Sequence, residues 1–155
     1  MLFRSSNSGD SNLLTRVTAM VKHYGLDSDP LIRIQLADLI MNYRVAAMNS
    51  GRAAAKIKRG QLPGPEMSIT KMALVNNQAK LVKFLSHTLG PKLIADSGEW
   101  GTYAWANFVL GTPGLRIAGG SDEVMRNITG ERVLGLPKDL GIDSVSPFRD
   151  IKVSK

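Results

Sequence analysis

The sequence predicts an all-α protein, an antiparallel four-helix, up-and-down bundle with short extra helices near its C terminus. The chain is 43% hydrophobic but only 6% aromatic, so Ala, Leu, Ile, Val and Met supply the core. That composition favours helix packing over a β-sandwich. Apolar residues recur at three- and four-residue spacing, and no strand-type alternation of useful length occurs. The 155 residues suffice for one domain with a full core.

The first two helices are predicted from capping residues. Residues 1–10 are expected to form a flexible polar tail, followed by a helix over residues 11–24 that Ser11 or Asn12 caps. Asp29 caps the second helix, over residues 30–59, whose first position is a proline and loses no hydrogen bond. The apolar stripe of this second helix comprises Leu36, Leu39, Ile40, Tyr43 and Ala47.

Three further helices complete the prediction. The third covers residues 65–89, and a short aromatic fourth helix covers residues 99–110, ended by "GTPG". The last covers residues 122–134, with Ser121 as its cap, and residues 140–155 form a C-terminal tail. The apolar seam of the third helix has the spacing of bundle packing and comprises Met72, Val75, Ala79, Val82, Leu85 and Leu89.

Several kinds of chemistry are excluded or disfavoured. The chain has no cysteine, so disulfides, thiol catalysis and Cys-based metal sites are excluded. His23 and His87 lie in different predicted helices without carboxylates at metal-binding spacing, so no metal site is expected. The apolar runs are too short to cross a bilayer, and the polar N terminus is not a secretory signal. A cytoplasmic protein without membrane contact is expected.

The net charge of +7 indicates an anionic partner, such as a nucleotide, coenzyme A or nucleic acid. The densest basic group, within residues 52–59, ends a predicted helix, where cations complement the helix dipole. A nucleic-acid binder is therefore the weakest hypothesis, and no nucleic-acid partner is expected. Trp100, Tyr103 and Trp105 have the residue types of a base-stacking platform, but at helical spacing core packing is favoured.

The Gly119–Gly120–Ser121 break directly precedes the last predicted helix. One interpretation is a loop followed by an N-cap. The other is that backbone N–H groups, with no side chains in the way, receive an anion or a polarised carbonyl. Spacing alone favours the loop.

The identities of the residues around this break indicate a particular protein family more specifically than their spacing does. "IAGGSDEVMRNITGERVLGLPKD" resembles the closing motif of the acyl-CoA dehydrogenase family, almost residue for residue over residues 119–137. "DPLIRIQLADL", "LPGPEMSITK" and "LGPKLI" resemble the same family more loosely, so the resemblance covers residues 14–139. It implies that residues 11–139 form the family's C-terminal four-helix bundle. No part of the sequence corresponds to the family's N-terminal helical domain or middle β-domain, so a C-terminal part alone is expected.

The resemblance also implies a role in the α,β-dehydrogenation of acyl-CoA thioesters in fatty-acid metabolism, with FAD as cofactor. It places the Gly119 backbone N–H at the thioester carbonyl, Gly119 and Gly120 against the substrate, and Ser121 and Glu123 against the adenosine end of FAD. Many members carry the catalytic Glu where this chain has Gly119. Other members place this Glu on an earlier helix, and no Glu precedes Glu66 in this chain, so the isolated chain is expected to be inactive. Because the resemblance includes no middle β-domain, the chain alone is not expected to retain FAD.

The resemblance implies assembly as a homo-oligomer, a dimer or a tetramer, or with a companion dehydrogenase subunit. It also implies that electron-transfer flavoprotein accepts the electrons. The alternative function is a non-catalytic helical subunit or interaction module that assembles with a partner dehydrogenase, which Gly119 favours modestly.

Overall fold

The computed structural model describes residues 9–62, 64–95, 98, 102–138 and 147–150. Its α-helices are α1 (Gly9–His23), α2 (Pro30–Lys58), α3 (Met67–Leu89), α4 (Thr102–Leu115) and α5 (Asp122–Ile128). Single 3-10 turns lie at Gly90–Leu93 and Phe148–Asp150, and a π-helical turn at Thr129–Val133 continues α5. No strand occurs in these described ranges, and the prediction of an all-α bundle is confirmed.

Local capping explains the bounds of α1 and α2. The first helix begins at Gly9, two residues before the predicted start, so Gly9 and Asp10 belong to it; residues 1–8 lie outside the described part. As predicted, Asp29 caps α2, because its carboxylate accepts hydrogen bonds from the Leu31 and Ile32 N–H groups at 2.8 and 3.3 Å. This helix ends at Lys58, and Gly60 follows with a positive φ of 74°.

The prediction that "GTPG" ends the fourth helix is wrong. Helix α4 continues through Gly111 and Pro113 to Leu115, while residues 99–101 of the predicted helix lie outside the described residues. A proline removes one N–H donor, and the turn beyond it stays hydrogen-bonded, with the Arg116 N–H 3.1 Å from the Pro113 carbonyl. The Thr112 hydroxyl also donates to the Phe108 carbonyl at 2.8 Å.

Helix α3 occupies the middle of the fold, since it packs against α2, α4 and α5. The buried core combines side chains from α1 to α4, and its fully buried members are Val17, Met20, Val21, Val75, Leu81 and Leu85. Leu39 and Tyr43 of the predicted α2 stripe are buried, but Ala47 is exposed and Ala46 is buried in its place. The stripe is therefore rotated slightly from its predicted position.

Trp105 belongs to the core, with 3% of its surface exposed and its ring edge-on to Phe108 at 6.4 Å. This confirms the packing interpretation for Trp105; Trp100 and the side chain of Tyr103 lie outside the described residues. None of the helices that the structure describes is long and apolar enough to cross a membrane.

Candidate functional site

The chain turns between α4 and α5 at two consecutive glycines. Gly119 has a φ of 70° and Gly120 a φ of 104°, values that side-chain-bearing residues rarely adopt. The turn that follows α4 closes just before them, where the Ala118 N–H donates to the Gly114 carbonyl at 3.0 Å. The Gly–Gly break is thus a backbone requirement of this turn, which we call the glycine turn (residues 119–120).

The two glycines differ in their surroundings. A Cβ at Gly119 would meet no atom within 4 Å, whereas a Cβ at Gly120 would lie 2.5 Å from Cε of Met125. Gly119 is exposed, and its N–H has no hydrogen-bond partner within the described residues. Gly120 therefore provides room for α5, while Gly119 leaves a backbone donor open to another molecule.

Ser121 and Glu123 act locally at the start of α5. Ser121 is the N-cap, and its Oγ accepts a hydrogen bond from the Val124 N–H at 3.4 Å. The Glu123 side chain is 76% exposed and lies 3.8 Å from Arg126. Its own backbone N–H, followed by the Ser121 hydroxyl, lowers the pKa of the Glu123 carboxyl. Both side chains stabilise the helix start, and both residues lie within three positions of the glycine turn.

A cluster of three charged residues, the polar clamp (Lys71, Arg116 and Asp122), holds the glycine turn against α3. The Lys71 ammonium donates to the carbonyls of Gly120 at 2.7 Å and of Arg116 at 3.3 Å. Asp122, 9% exposed, is 2.9 Å from Nη1 of Arg116 and 3.8 Å from Nζ of Lys71. One lysine of α3 thereby contacts the chain on both sides of the turn.

Lys71 and Arg116 were not among the predicted site residues, and Asp122 was predicted only as the first residue of the last helix. Lys71 lies 45 and 49 residues from the two carbonyls that it contacts, and no spacing rule links such distant positions. The one available signal was that Lys71 ends "LPGPEMSITK", a segment of the family resemblance.

A second polar contact fixes the far end of α5. The hydroxyls of Ser68 on α3 and Thr129 are 2.9 Å apart, and the Thr129 hydroxyl donates to the Met125 carbonyl at 2.9 Å. Ser68 is buried. The segment after the glycine turn is thus attached to α3 at both of its ends.

No group of three or more metal-ligating side chains occurs in the described part of the chain. His87 is exposed, and its Nδ1 lies 3.4 Å from Oε1 of Gln35; His23 is exposed at the end of α1. The two carboxylates within three residues after the glycine turn are Asp122, which two cations already contact, and Glu123. The chemistry available at the turn is hydrogen-bond donation by the backbone.

Comparison with known proteins gives a consistent result. The family described as "Acyl-CoA dehydrogenase, C-terminal domain" matches residues 18–134. The chain is 29% identical over 127 residues to acyl-CoA dehydrogenase IpdE1 of Mycobacterium tuberculosis. The aligned region covers 81% of this chain and 32% of IpdE1. It is also 29% identical over 104 residues to acyl-CoA dehydrogenase FadE34 of the same organism, covering 67% of this chain and 14% of FadE34.

The fold is shared with a solved structure, the Tcur3481-Tcur3483 steroid ACAD. The TM-score is 0.76 at 18% identity, over 85% of this chain and 35% of that one. The chain spans about a third of the length of IpdE1 and of that solved chain. From the family match and these relatives, the chain belongs to the acyl-CoA dehydrogenase family and contains its C-terminal helical domain.

Proposed function

We propose that this chain forms one wall of the flavin and acyl-CoA pocket of an assembled acyl-CoA dehydrogenase. The observation that carries the proposal is the glycine turn. At the exposed residue Gly119 it presents a backbone N–H that has no hydrogen-bond partner among the described residues, in the segment that most closely resembles the family's closing motif. In this assignment the Gly119 N–H donates a hydrogen bond to the thioester carbonyl of the substrate.

A hydrogen bond at that oxygen supports α,β-dehydrogenation. Removing the α-proton moves negative charge onto the thioester oxygen, and a fixed donor stabilises that charge without having to reorganise. The polar clamp supplies the fixation, because Lys71 anchors the carbonyl of Gly120, the neighbouring residue, to α3. Gly119 and Gly120 also let the thioester approach the backbone closely, because neither has a side chain.

The residues after the turn fit the adenosine end of FAD. Ser121 and Glu123 are close to the turn, and the Glu123 carboxylate is exposed, so it can accept hydrogen bonds from a ligand. When bound, FAD would supply the acceptor for the hydride that leaves the β-carbon, and electron-transfer flavoprotein would be the expected acceptor of its electrons. In this assignment Ser121 and Glu123 bind and orient the cofactor while they cap α5.

The catalytic base is not at position 119, because glycine cannot accept a proton. The base must come from another segment of the assembled enzyme, such as a companion dehydrogenase subunit, and the chain alone is inactive and does not retain FAD. Acyl-CoA is the substrate class. Because the solved structure that shares the fold is described as a steroid ACAD, steroid-linked CoA thioesters should be tested beside straight-chain acyl-CoA.

The test is co-expression of this chain with dehydrogenase genes adjacent to its own, followed by dehydrogenation assays with an artificial electron acceptor. We expect flavin and activity in the complex only. Gly119→Ala, which forces a strained φ, should lower kcat by about 10–100-fold because the donor moves. Gly111→Ala is the matched control, since Gly111 lies in α4 with a negative φ and open space at its Cβ.

Activity of the chain alone would overturn this proposal. A complex that is fully active with Gly119→Ala would instead support the second candidate, a non-catalytic helical subunit. The absence of a carboxylate at position 119 favours that candidate. In it, the glycine turn is structural and the companion subunit supplies the whole reaction site.

A further inference from the structure

An open groove lies between helices α1 and α2. Helix α2 packs mainly against α3 and less against α1, so space remains on the side where the first two helices meet. The groove has a volume of about 760 Å³ and is lined by residues within 14–22 of α1 and 40–50 of α2. Pockets of this volume hold small-molecule ligands. We call it the α1–α2 groove; none of its lining residues belongs to the glycine turn or to the polar clamp.

The floor of the groove is apolar. Tyr43 is buried there, and Leu14 and Ile40 are half-buried. Two alanines, Ala19 of α1 and Ala47 of α2, also line the groove, and their single methyl groups fill little of the space between the helices. An aliphatic group laid over this floor would remove apolar surface from water, which is favourable.

Two cations line the same groove, and no carboxylate is among its described lining residues. Lys22 and Arg44 are exposed, and neither has an ion-pair partner within the described ranges of the chain. Helix α2 contains one carboxylate, Asp38, and its Oδ2 lies 3.1 Å from Nζ of Lys80 on α3. The positive charge of the groove is therefore not compensated, which favours an anionic ligand.

The shape of the groove and the kind of donors that it offers narrow the class of ligand. Leu14 and Lys22 are eight residues apart on α1, about 12 Å along its axis, so the groove is elongated. Both helices line it with their sides, where backbone N–H groups are already hydrogen-bonded within the helix. It therefore lacks the free backbone donors of a helix N terminus that phosphate sites use. A carboxylate needs fewer donors, and one arginine binds it through two parallel N–H···O hydrogen bonds.

We propose that the α1–α2 groove binds an aliphatic carboxylate of matching length, such as a medium-chain fatty acid. The carboxylate pairs with Arg44, Lys22 adds a second cation, and the chain covers the apolar floor formed by Ile40, Tyr43 and Ala47. This site uses neither flavin nor coenzyme A. It is therefore present on the isolated chain, which the proposed function expects to be inactive.

The experiment is calorimetric titration of the full chain with decanoate, and amide chemical shifts of the isotope-labelled chain locate the bound molecule. We expect saturable binding with a Kd below about 1 mM, and shifts concentrated at the groove residues. Decanol lacks the carboxylate and butanoate lacks most of the aliphatic chain, so each should bind at least about tenfold more weakly than decanoate.

Variants test the two halves of the site separately. Arg44→Glu and Lys22→Glu should each raise the Kd for decanoate by about tenfold or more, and Ala47→Trp should abolish binding because it fills the groove. Lys83→Glu is the matched control, since it makes the same charge change at an exposed position of α3 outside the groove and should leave the Kd unchanged. Circular dichroism confirms that each variant is folded.

Three results would overturn the inference: no saturable decanoate binding, binding that tolerates Arg44→Glu, or equal binding of decanol. Displacement of decanoate by free coenzyme A would also overturn it, because the groove would then belong to the acyl-CoA pocket. A chain that does not bind decanoate but still forms an active complex with a companion dehydrogenase would overturn the inference and leave the proposed function intact.

Discussion

The bundle interior and the glycine turn are stabilised by different kinds of contact. The interior is an apolar cluster whose buried members, such as Leu81, come from four helices. The turn depends on a few polar contacts, chiefly those of Lys71 and Asp122. Because the interior contributes to the stability of the whole bundle and the turn depends on a few local contacts, substitutions should affect global stability in the first region and local geometry in the second.

The largest effect is expected in the interior. Leu81 is fully buried on α3, so Leu81→Ala should lower the free energy of unfolding by about 2–5 kcal/mol through lost burial and a residual cavity. Chemical denaturation followed by circular dichroism measures this change. Leu110→Ala, at an exposed site on α4, should change it by less than about 0.5 kcal/mol. Equal losses for the two variants would contradict the assignment of the core.

The next effect concerns the polar clamp. Lys71→Met keeps the aliphatic stem but removes the cation that binds the Gly120 carbonyl and faces Asp122, so a local loss of about 1–3 kcal/mol is expected. Hydrogen exchange should accelerate at the amides of Ala118 and Met125, which flank the turn, more than in α3. Lys83→Met, at an exposed position of α3, is the control. Unchanged exchange around the turn would show that Lys71 does not hold it.

The glycine turn itself gives a smaller, graded effect. Gly119→Ala should destabilise the chain by about 1–2 kcal/mol, because alanine is strained at a φ of 70° even in open space. Gly120→Ala should cost more than Gly119→Ala, since its Cβ would also displace the Met125 side chain. Gly111→Ala should be neutral or stabilising, because it replaces a helical glycine. Thermal unfolding ranks the three, and a different order would argue against the observed turn.

The smallest effect is the pH dependence of Glu123. The pKa of this carboxyl is lowered from its ordinary value of 4.5, so its contribution to stability is fully present above about pH 4.5 and is lost as the pH falls through the folded-state value. The stability difference between the unsubstituted chain and Glu123→Gln should therefore shrink as the pH falls below about 4.5. A difference that stays constant over that range would rule out this linkage.

The two regions also differ in how far the sequence predicted them. The helices that form the interior follow from apolar spacing and from caps such as Asp29, and these signals lie within a few residues of the element that they specify. The continuation of α4 through Pro113 was not predicted. A proline has no backbone N–H, and how much this missing hydrogen bond destabilises a helix depends on the hydrogen bonds of the surrounding turns. The roles of Gly119, Ser121 and Glu123 as binding residues remain predictions from the family resemblance.

The amino-acid sequence by itself determined the all-α class, the Asp29 and Ser121 caps, and the need for glycine before α5. Each depends on backbone sterics or on contacts between near neighbours. Only the tertiary structure decided that Lys71 reaches the glycine turn and that Asp122 is buried between two cations. It also decided that one face of α2 stays exposed, since such features depend on how α2, α3, α4 and α5 pack against one another.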